Sequence, residues 1–245
     1  MLVDRIIPLV PPHRCYVEVF AGGAWLLFKK QESHVEVIND INTDLVTLYR
    51  VVKHHLEEFI RYFKWVLVAR DEFERFKKEH PDTLTDIQRA VRFYYLTKTC
   101  FGARIVNPTY GTTTEAKPRL NLLRIEEDLS AAHLRLSRVN IENMHYGELI
   151  ARYDRPHTFM YLDPPYYGCE GYYGSGIFSR EDFTGLRDKL DKVKGKFIMS
   201  INDVPQIREL FRDFHIMEVP TRYSVGSASQ KHVTELLILN YKPAG

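Results

Sequence analysis

Cysteine is scarce in this 245-residue chain, which has Cys15, Cys100 and Cys169 and no others. An odd number of cysteines without C-x-x-C spacing excludes a disulfide framework and a zinc knuckle, and no other pattern in the sequence suggests a metal. The chain also lacks an apolar run of the roughly 18 residues that a membrane span needs. Its N-terminal stretch, interrupted by prolines, has neither the basic start nor the cleavage site of a signal peptide. We therefore expect a cytoplasmic protein with reduced thiols.

An excess of charge of one sign is also missing, because 34 Lys and Arg residues face 32 Asp and Glu residues and the formal net charge is +2. This balance excludes a histone-like or tail-like nucleic-acid binder, but it leaves open a protein that binds nucleic acid through one local face. The 44% hydrophobic and 27% charged residues are typical of a soluble globular protein. The length suits one large α/β domain, or one domain that carries a smaller insert.

The first forty residues have the pattern of a ligand-binding α/β unit. Residues 16–20 (YVEVF) predict a strand of β-branched and aromatic residues, followed by a glycine turn and a helix over about 25–31. Residues 35–38 (VEVI) predict a second strand, which ends at Asn39 and Asp40. A strand, a glycine turn, a helix, a second strand and an acid form the opening of a nucleotide- or cofactor-binding α/β sheet.

The next part of the chain has a helical pattern. Apolar residues recur at a spacing near 3.6 from residue 44 to about 79, and a further helix is predicted over 86–100 with Thr85 as its N-cap. Residues 101–123 lose all periodicity and predict a loop. Another helix is expected over 124–137.

Strand patterns then return and complete the predicted sheet. They lie at 139–142, 158–162, 196–200, 215–219 and 235–241, with helical patterns at 181–193 and 204–213. The sequence thus predicts an α/β domain formed by residues 1–49 and 136–245, with a mostly helical insert at 50–135.

The strongest chemical signal is the run Tyr-Leu-Asp-Pro-Pro-Tyr at 161–166. The apolar strand delivers Asp163 to the carboxyl edge of the sheet, where open α/β sheets bind ligands. Two prolines fix the backbone that follows, so the carbonyl of Pro164 is held beside the Asp163 carboxylate, and Pro165 leads to the flat ring of Tyr166. Two fixed acceptors and a stacking ring suit an exocyclic amine on a planar base. The alternative is a proline-rich turn that ends a strand.

A second signal is the turn of small residues after the first predicted strand, which lets a ligand approach the backbone closely. The turn lacks G-x-G-x-x-G spacing and therefore tells against a plain dinucleotide fingerprint. Asp40 ends the next strand, where an acid usually accepts hydrogen bonds from ribose hydroxyls. The alternative for Asp40 is the N-cap of a helix that begins near Asn42. The turn consists of Phe20, Ala21, Gly22, Gly23 and Ala24.

Positive charge is concentrated where the predicted sheet is interrupted. Between residues 85 and 125 seven Lys and Arg residues face two acids, which gives +5 against +2 for the whole chain. Such a segment can contact phosphates through Arg and Lys and base edges through Asn. The alternative is a solvated helix face with a polar loop. The candidate nucleic-acid contacts are Arg104, Asn107, Lys117, Arg119, Arg124 and, near the C-terminus, Lys231.

Taken together, these motifs resemble one known family. The order F-A-G-G-A, I-N-D-I-N at 38–42 and D-P-P-Y, with T-E-L-L-I-L-N-Y at 234–241, resembles the Dam-type DNA adenine-N6 methyltransferases over nearly the whole chain. The resemblance implies a Rossmann-like methyltransferase sheet with helices on both faces, whose glycine turn and Asp40 bind S-adenosylmethionine. It also implies methyl transfer to N6 of an adenine flipped out of double-stranded DNA, with S-adenosylhomocysteine as the other product and no metal. The insert at 50–135 is then the region that recognises the DNA target.

The chemistry that the resemblance implies agrees with the residues of the D-P-P-Y run. The lone pair of the adenine amine is delocalised into the ring and is a poor nucleophile. If Asp163 and the Pro164 carbonyl each accept one N6–H, the nitrogen becomes pyramidal and its lone pair points at the methyl group. Stacking of the base on Tyr166 offsets part of the cost of unstacking it from the duplex.

The chain departs from the family pattern at two places. A W/Y-x-G-G-K segment usually precedes the glycine turn, and this sequence begins at Met1 without one, so we expect a truncated start or a less complete cofactor site. Many relatives carry an acid before D-P-P-Y, where this sequence has Asn-Met-His-Tyr. Asn143, His145 and Tyr146 are therefore expected to meet the adenine edge of the cofactor, with Asp163 also close to it. Two alternatives stay open: an N-methyltransferase of RNA or another planar amine, and a catalytically weak DNA-binding relative.

Overall fold

A computed structural model of the chain describes residues 2–101, 106–112, 117, 120–173, 176–222 and 232–243. The chain forms two compact units, one made of Met1–Ile41 and Glu142–Gly245 and the other of Asn42–Ile141. The second unit contains the whole of the segment 50–135 that the sequence predicts as an insert. In the described part of the chain, no helix is long and apolar enough to cross a membrane.

The described residues include seven strands: β1 (Cys15–Glu18), β2 (Val35–Asn39), β3 (Asn140–Glu142), β4 (Thr158–Leu162), β5 (Lys196–Asn202), β6 (His215–Arg222) and β7 (His232–Leu239). They form one sheet with the order β3-β2-β1-β4-β5-β7-β6. β1 pairs in parallel with β2 and β4, and β4 pairs in parallel with β5. β7 is antiparallel to both β5 and β6. This mixed sheet confirms the predicted α/β fold class.

The described residues also include ten α-helices: α1 (Leu2–Ile6), α2 (Trp25–Lys29), α3 (Thr43–His54), α4 (Leu56–Phe63), α5 (Arg70–Lys78), α6 (Asp86–Thr99), α7 (Ile125–Leu136), α8 (Tyr146–Tyr153), α9 (Arg180–Leu190) and α10 (Pro205–Leu210). The predicted helical stretch 44–79 contains three of them. The helix breaks at His55 (φ −136°, ψ 38°) and at Ala69 (φ −140°, ψ 154°), because both residues leave the helical region.

One apolar core joins α8 and α9 to the central strands. Val17 of β1, Met160 of β4 and Met199 of β5 lie in this core with Leu149 of α8 and Phe183 of α9, and each is 1% exposed or less. Alternate residues of a strand point to the same face, so every second residue of these strands enters this core, and the residues between them in β1 and β4 are also buried. Burial of each such side chain contributes about 1.5–3 kcal/mol. The core therefore fixes the strand ends from which the motif residues extend.

The second unit is tied together by α6. The Thr85 side chain accepts a hydrogen bond from the backbone N–H of Gln88 in a reciprocal capping box, which confirms the predicted N-cap. Arg89 forms an ion pair with Asp44 at the start of α3, and Nε of Arg92 donates to the carbonyl of Phe76 in α5 at 2.8 Å. Two of the cations in the basic segment thus have structural partners inside this unit.

Candidate active site

Three of the predicted motifs lie at the carboxyl edge of the sheet, where β1 lies between β2 and β4. The register pairs Ile38 of β2 and Tyr161 of β4 with the same residue of β1. Asp40 and Asp163 each follow two residues beyond that level, so they flank the turn that begins at Phe20. The chain order of the strands reverses between β1 and β4, which is the position where open α/β sheets bind ligands.

The turn after β1 is short and open. The N–H of Ala21 donates to the carbonyl of Asn39 at 2.8 Å, and the N–H of Ala24 donates to the carbonyl of Ala21 at 2.6 Å. Gly22 (φ +47°) and Ala24 (φ +48°) both adopt the left-handed conformation, which glycine tolerates and which costs a residue with a Cβ about 1–2 kcal/mol. A Cβ at Gly22 would have no neighbour within 4 Å. A ligand can therefore approach the backbone at this glycine.

Asp40 is coupled to the turn by a direct hydrogen bond. The N–H of Gly22 donates to Oδ2 of Asp40 at 3.0 Å. The N-cap of α3 is Asn42, whose side chain accepts from the N–H groups of Asp44 and Leu45 at 3.0 and 3.3 Å. The alternative reading of Asp40 as the helix N-cap is therefore wrong, and its carboxylate stays at the sheet edge beside the turn.

Asn39 joins three segments at this edge, a role that the sequence patterns did not predict. Its Nδ2 donates to the carbonyl of Val19 at 3.0 Å and to that of Met144 at 3.1 Å, and its Oδ1 accepts from the N–H of Met144 at 3.0 Å. Asn39 is 2% exposed, so these bonds are shielded from water. An asparagine at the end of a mostly apolar strand (VEVIN) was the available signal, because a buried amide requires partners.

The residues of the Asn-Met-His-Tyr segment have separate structural roles. Asn143 Nδ2 donates to the carbonyl of Asp40 at 2.7 Å, which brings Asn143 to the loop after β2. His145 is the exposed N-cap of α8, and its Nδ1 accepts from the N–H of Gly147 at 3.2 Å. Tyr146 is buried, and its ring packs 5.6 Å from that of Phe20.

Asp163 follows β4 directly and receives a hydrogen bond from β5. Oγ of Ser200 donates to Oδ1 of Asp163 at 2.9 Å. Asp163 reaches the surface of the unit, but the protein atoms packed around its carboxyl group withdraw that group from bulk water. This desolvation, together with the charge of Glu235, raises the pKa of Asp163 to about 6, against the opposing hydrogen bond from Ser200. Pro164 and Pro165 are buried, which fixes the backbone beside the carboxylate.

The two tyrosines after the prolines are anchored by β5 and β7. The hydroxyl of Tyr166 donates to Oε1 of Glu235 at 2.6 Å. Asn202 binds both backbone groups of Tyr167, with Oδ1 accepting from its N–H at 2.9 Å and Nδ2 donating to its carbonyl at 3.0 Å. Asn202 and Glu235 are partners in the β5–β7 register. The D-P-P-Y run is therefore held by side chains of two neighbouring strands that the sequence did not identify as part of the site.

A buried acid lies beneath the turn. Oε2 of Glu18 accepts hydrogen bonds from the hydroxyl of Tyr16 at 2.9 Å and from the N–H of Leu27 at 3.2 Å. Desolvation raises the pKa of Glu18 to about 8, and the charge of Asp163 acts in the same direction. Among the described residues, no group of three or more His, Cys, Asp or Glu side chains could hold a metal ion.

The predicted DNA contacts lie partly in the second unit. Asn107, Lys117 and Arg124 are exposed, and Asn107 has a left-handed backbone (φ +48°). Nε of Arg124 lies 3.3 Å from Oε2 of Glu127, and its Nη2 lies 3.8 Å from Oδ1 of Asp128. The other predicted contacts lie outside the described residues: Arg104, Arg119 and Lys231.

Comparisons with known proteins bear on the family to which this chain belongs. A family model of the D12 class N6 adenine-specific DNA methyltransferases matches residues 1–225. The chain is 27% identical over 235 residues to the type II methyltransferase M.CviBI of Paramecium bursaria Chlorella virus NC1A, which covers 92% of this chain and 89% of the relative. It is 27% identical to the type II methyltransferase M.MjaIII of Methanocaldococcus jannaschii, covering 92% of this chain and 88% of the relative. It is 25% identical to the DNA adenine methylase of Escherichia coli K12, covering 99% of this chain and 91% of the relative.

The match spans both compact units and all three motifs of the sheet edge, in the order in which the sequence presents them. It confirms the resemblance drawn from F-A-G-G-A, I-N-D-I-N and D-P-P-Y. The chain belongs to the D12 class of N6 adenine-specific DNA methyltransferases.

Proposed function

We propose that this methyltransferase takes its methyl group from S-adenosylmethionine and transfers it to N6 of an adenine flipped out of duplex DNA. The donor leaves as S-adenosylhomocysteine, and the amine loses one proton to solvent after the transfer. The observation that carries the proposal is the carboxyl edge of β1, β2 and β4, where the open turn, Asp40 and Asp163 follow neighbouring strands. A base that is paired and stacked in a duplex cannot reach acceptors in such a position, so the adenine has to leave the helix.

The open turn and Asp40 fit S-adenosylmethionine. Gly22 leaves space for a ligand against the backbone, and a carboxylate at the end of β2 suits the two ribose hydroxyls. Asn143 supplies a polar group next to this acid, and Tyr146 packs against Phe20. His145, which begins α8 two residues after Asn143, adds an exposed imidazole. When bound, S-adenosylmethionine supplies a methyl group carried on a positively charged sulfur. The binding residues in this proposal are Phe20, Ala21, Gly22, Gly23, Ala24, Asp40, Asn143, His145, Tyr146 and Asp163.

The D-P-P-Y run prepares the adenine amine for transfer. The Asp163 carboxylate and the Pro164 carbonyl each accept one N6–H, which draws the nitrogen lone pair out of conjugation with the ring. Pro165 holds the backbone between these acceptors and Tyr166, whose ring stacks on the extruded base. Preorganised acceptors of this kind stabilise charge that develops on the amine without moving during the reaction.

We assign DNA target recognition to the unit Asn42–Ile141. Its exposed Asn107, Lys117 and Arg124 suit contacts to bases and phosphates, and Arg104 and Arg119 belong to the same segment. Lys231, in the sequence of the other unit, is a further candidate contact. We also expect the enzyme to act in the cytoplasm. Its cysteines, which are free thiols in the structure, stay reduced there.

Binding of the methyl donor tests the first half of the proposal. Calorimetry with S-adenosylmethionine should show a saturable site in the wild-type chain and a loss of affinity of at least tenfold in Asp40→Ala, since charge-assisted hydrogen bonds contribute about 1.5–3 kcal/mol. Asp188→Ala is the matched control, because Asp188 is an exposed carboxylate on α9. A wild-type chain without a site for the donor would support a DNA-binding relative without catalysis.

Comparison of acceptors tests the second half. Labelled methyl transfer should be fastest to duplex DNA that contains adenine, slower to single-stranded DNA and absent with RNA. Faster transfer to RNA would support the alternative of an N-methyltransferase for another planar amine.

A further inference from the structure

A hydroxyl on the neighbouring strand holds the carboxylate of Asp163. Leu162 and Met199 are partners in the β4–β5 register, so the next residues, Asp163 and Ser200, lie side by side. Oγ of Ser200 lies 2.9 Å from Oδ1 of Asp163 and 2.8 Å from the hydroxyl of Tyr161. Ser200 is fully buried and Tyr161 is 5% exposed. The three side chains thus form a chain of hydrogen bonds that starts inside the sheet and ends at its edge.

The direction of the chain follows from the protons available. An ionised carboxylate only accepts hydrogen bonds, and a serine hydroxyl has a single proton. Ser200 therefore donates its proton to Asp163 at 2.9 Å, since the carbonyl of Leu162 lies farther away at 3.5 Å. Tyr161 in turn donates to Ser200. A hydrogen bond to an ionised acceptor is stronger than a neutral one, so the bond from Ser200 is the one that restrains the carboxylate directly.

We propose that Ser200 and Tyr161 are positioning residues for methyl transfer, which fix the rotation of the Asp163 carboxylate and keep it ionised as the acceptor of an adenine N6–H. This inference rests on the acceptor role of Asp163 proposed above. With Oδ1 bound to Ser200, the carboxylate has its orientation before the amine arrives. The site therefore has less to reorganise in the transition state.

The surroundings of Asp163 explain why such support is needed. Glu235 from β7 and Glu18 from β1 interact electrostatically with Asp163, as does the Tyr161 hydroxyl on its own strand. Desolvation and the charge of Glu235 raise the pKa of Asp163, and the hydrogen bond from Ser200 lowers it. Loss of the Ser200 hydroxyl removes the contribution that favours the ionised form.

Two variants test this chain of hydrogen bonds, Ser200→Ala and Tyr161→Phe. We expect Ser200→Ala to lower kcat by about ten- to a hundredfold with little change in KM for DNA, as for loss of a charge-assisted hydrogen bond that orients a reacting group. Tyr161→Phe should have a smaller effect in the same direction. In both variants the acid limb of the rate profile should move to higher pH. Carbon-13 NMR of the Asp163 carboxyl in the protein without methyl donor should show the same upward shift of its titration.

Two further variants serve as matched controls in the same unit. Thr158→Val removes a buried strand hydroxyl that donates to the carbonyl of Tyr153 at 2.8 Å. Tyr153→Phe removes a tyrosine hydroxyl that donates to Glu142 at 2.6 Å. Neither should move the titration of Asp163 or the acid limb.

The outcomes separate this inference from the function on which it rests. Wild-type kcat and an unshifted Asp163 titration in both test variants would overturn the inference. If Ser200→Ala does not fold, Tyr161→Phe decides, because it keeps the ring and removes only the hydroxyl. If Asp163→Asn retains wild-type methyl transfer, the acceptor role of Asp163 is itself wrong. If Asp163→Asn is inactive but the Ser200 and Tyr161 variants leave kcat and the Asp163 titration unchanged, only the positioning role is refuted.

Discussion

The hydroxyl of Tyr166 donates a hydrogen bond to Oε1 of Glu235 across 2.6 Å. The bond joins the end of the D-P-P-Y run to β7, the strand that runs antiparallel to its neighbours. Glu235 is 2% exposed, so water competes little for this contact. The orientation of the Tyr166 ring is therefore set by the sheet before a base stacks on it.

Substitution of Glu235 tests this relationship. We expect Glu235→Ala to raise KM for duplex DNA by about tenfold. Without its hydrogen bond to Glu235 the Tyr166 ring rotates freely, and the cost of ordering it on binding is roughly the free energy of one hydrogen bond. Glu235→Gln keeps an acceptor oxygen at the same place and should stay close to the wild-type KM. Steady-state kinetics with a duplex substrate measure both values, and equal KM for Glu235→Ala and the wild type would contradict the assignment.

The pH dependence of the reaction should report Asp163. Its pKa in the fold is raised to about 6 from an ordinary value of 3.8, and the protonated acid accepts hydrogen bonds poorly. We expect kcat/KM to fall as the pH decreases through about 6. Glu235→Gln removes a nearby negative charge and should move this limb to lower pH. If kcat/KM of the wild type falls only near pH 4, the carboxyl group of Asp163 is as well solvated as that of a free aspartate, which would contradict this prediction.

The same shift has a consequence for stability. A carboxyl group whose pKa is higher in the folded than in the unfolded chain binds its proton more tightly in the fold, so its contribution to stability decreases as the pH rises from about 4 to about 6. Asp163→Asn should therefore be more stable than the wild type at neutral pH, with a smaller difference at pH 4. Urea denaturation at the two pH values measures the effect.

Asn39 should matter for the stability of the sheet edge. Asn39→Ala removes three hydrogen bonds and leaves the carbonyl of Val19 and both backbone groups of Met144 without these contacts. We expect a loss of roughly 2–4 kcal/mol in the free energy of unfolding, as for buried groups that lose their partners. Asn121→Ala is a suitable control, because Asn121 is exposed and accepts from a nearby backbone N–H. A loss for Asn39→Ala no larger than that of the control would show that the edge holds without it.

The basic segment divides into structural and exposed cations, and the salt dependence of DNA binding should separate them. Arg124→Ala should reduce the slope of log K against log salt by about 1 if this arginine contacts a phosphate. Arg89→Ala should leave the slope unchanged and reduce the free energy of unfolding by roughly 1–3 kcal/mol. The variant removes the nearer of the two ion pairs of Asp44 and leaves only Arg92, at 3.9 Å. A smaller salt slope for Arg89→Ala would mean that Arg89 contacts a phosphate, and an unchanged slope for Arg124→Ala would mean that Arg124 does not.

The sequence predicted the parts of this structure that depend on local pattern. The strands before D-P-P-Y and the glycine turn were predictable because short runs of apolar, β-branched and aromatic residues end in residues with special backbone requirements. The three helices within 44–79 were not separable, because the break at His55 is a conformational change that the apolar spacing does not reveal. Asp40 was correctly placed at the sheet edge, but the residue that caps α3 is two positions later.

The supporting residues of the site were harder to predict. Ser200, Asn202 and Glu235 lie about 35 to 70 positions after the D-P-P-Y run, and only the β4–β5–β7 register brings them to it. The local sequence does not reveal that register. The positive charge of residues 85–125 indicated DNA contacts only in part, since Arg89 and Arg92 of this segment bind partners within their own unit.

Nucleoside analysis of methylated DNA tests the central claim most directly. Duplex DNA would be incubated with the protein and S-adenosylmethionine, digested to nucleosides and measured by mass spectrometry. We predict N6-methyladenine with the wild-type chain and with Asp188→Asn, and none with Asp163→Asn, although this variant should still bind DNA. Absence of N6-methyladenine with the wild-type chain, or equal amounts with Asp163→Asn, would contradict the account.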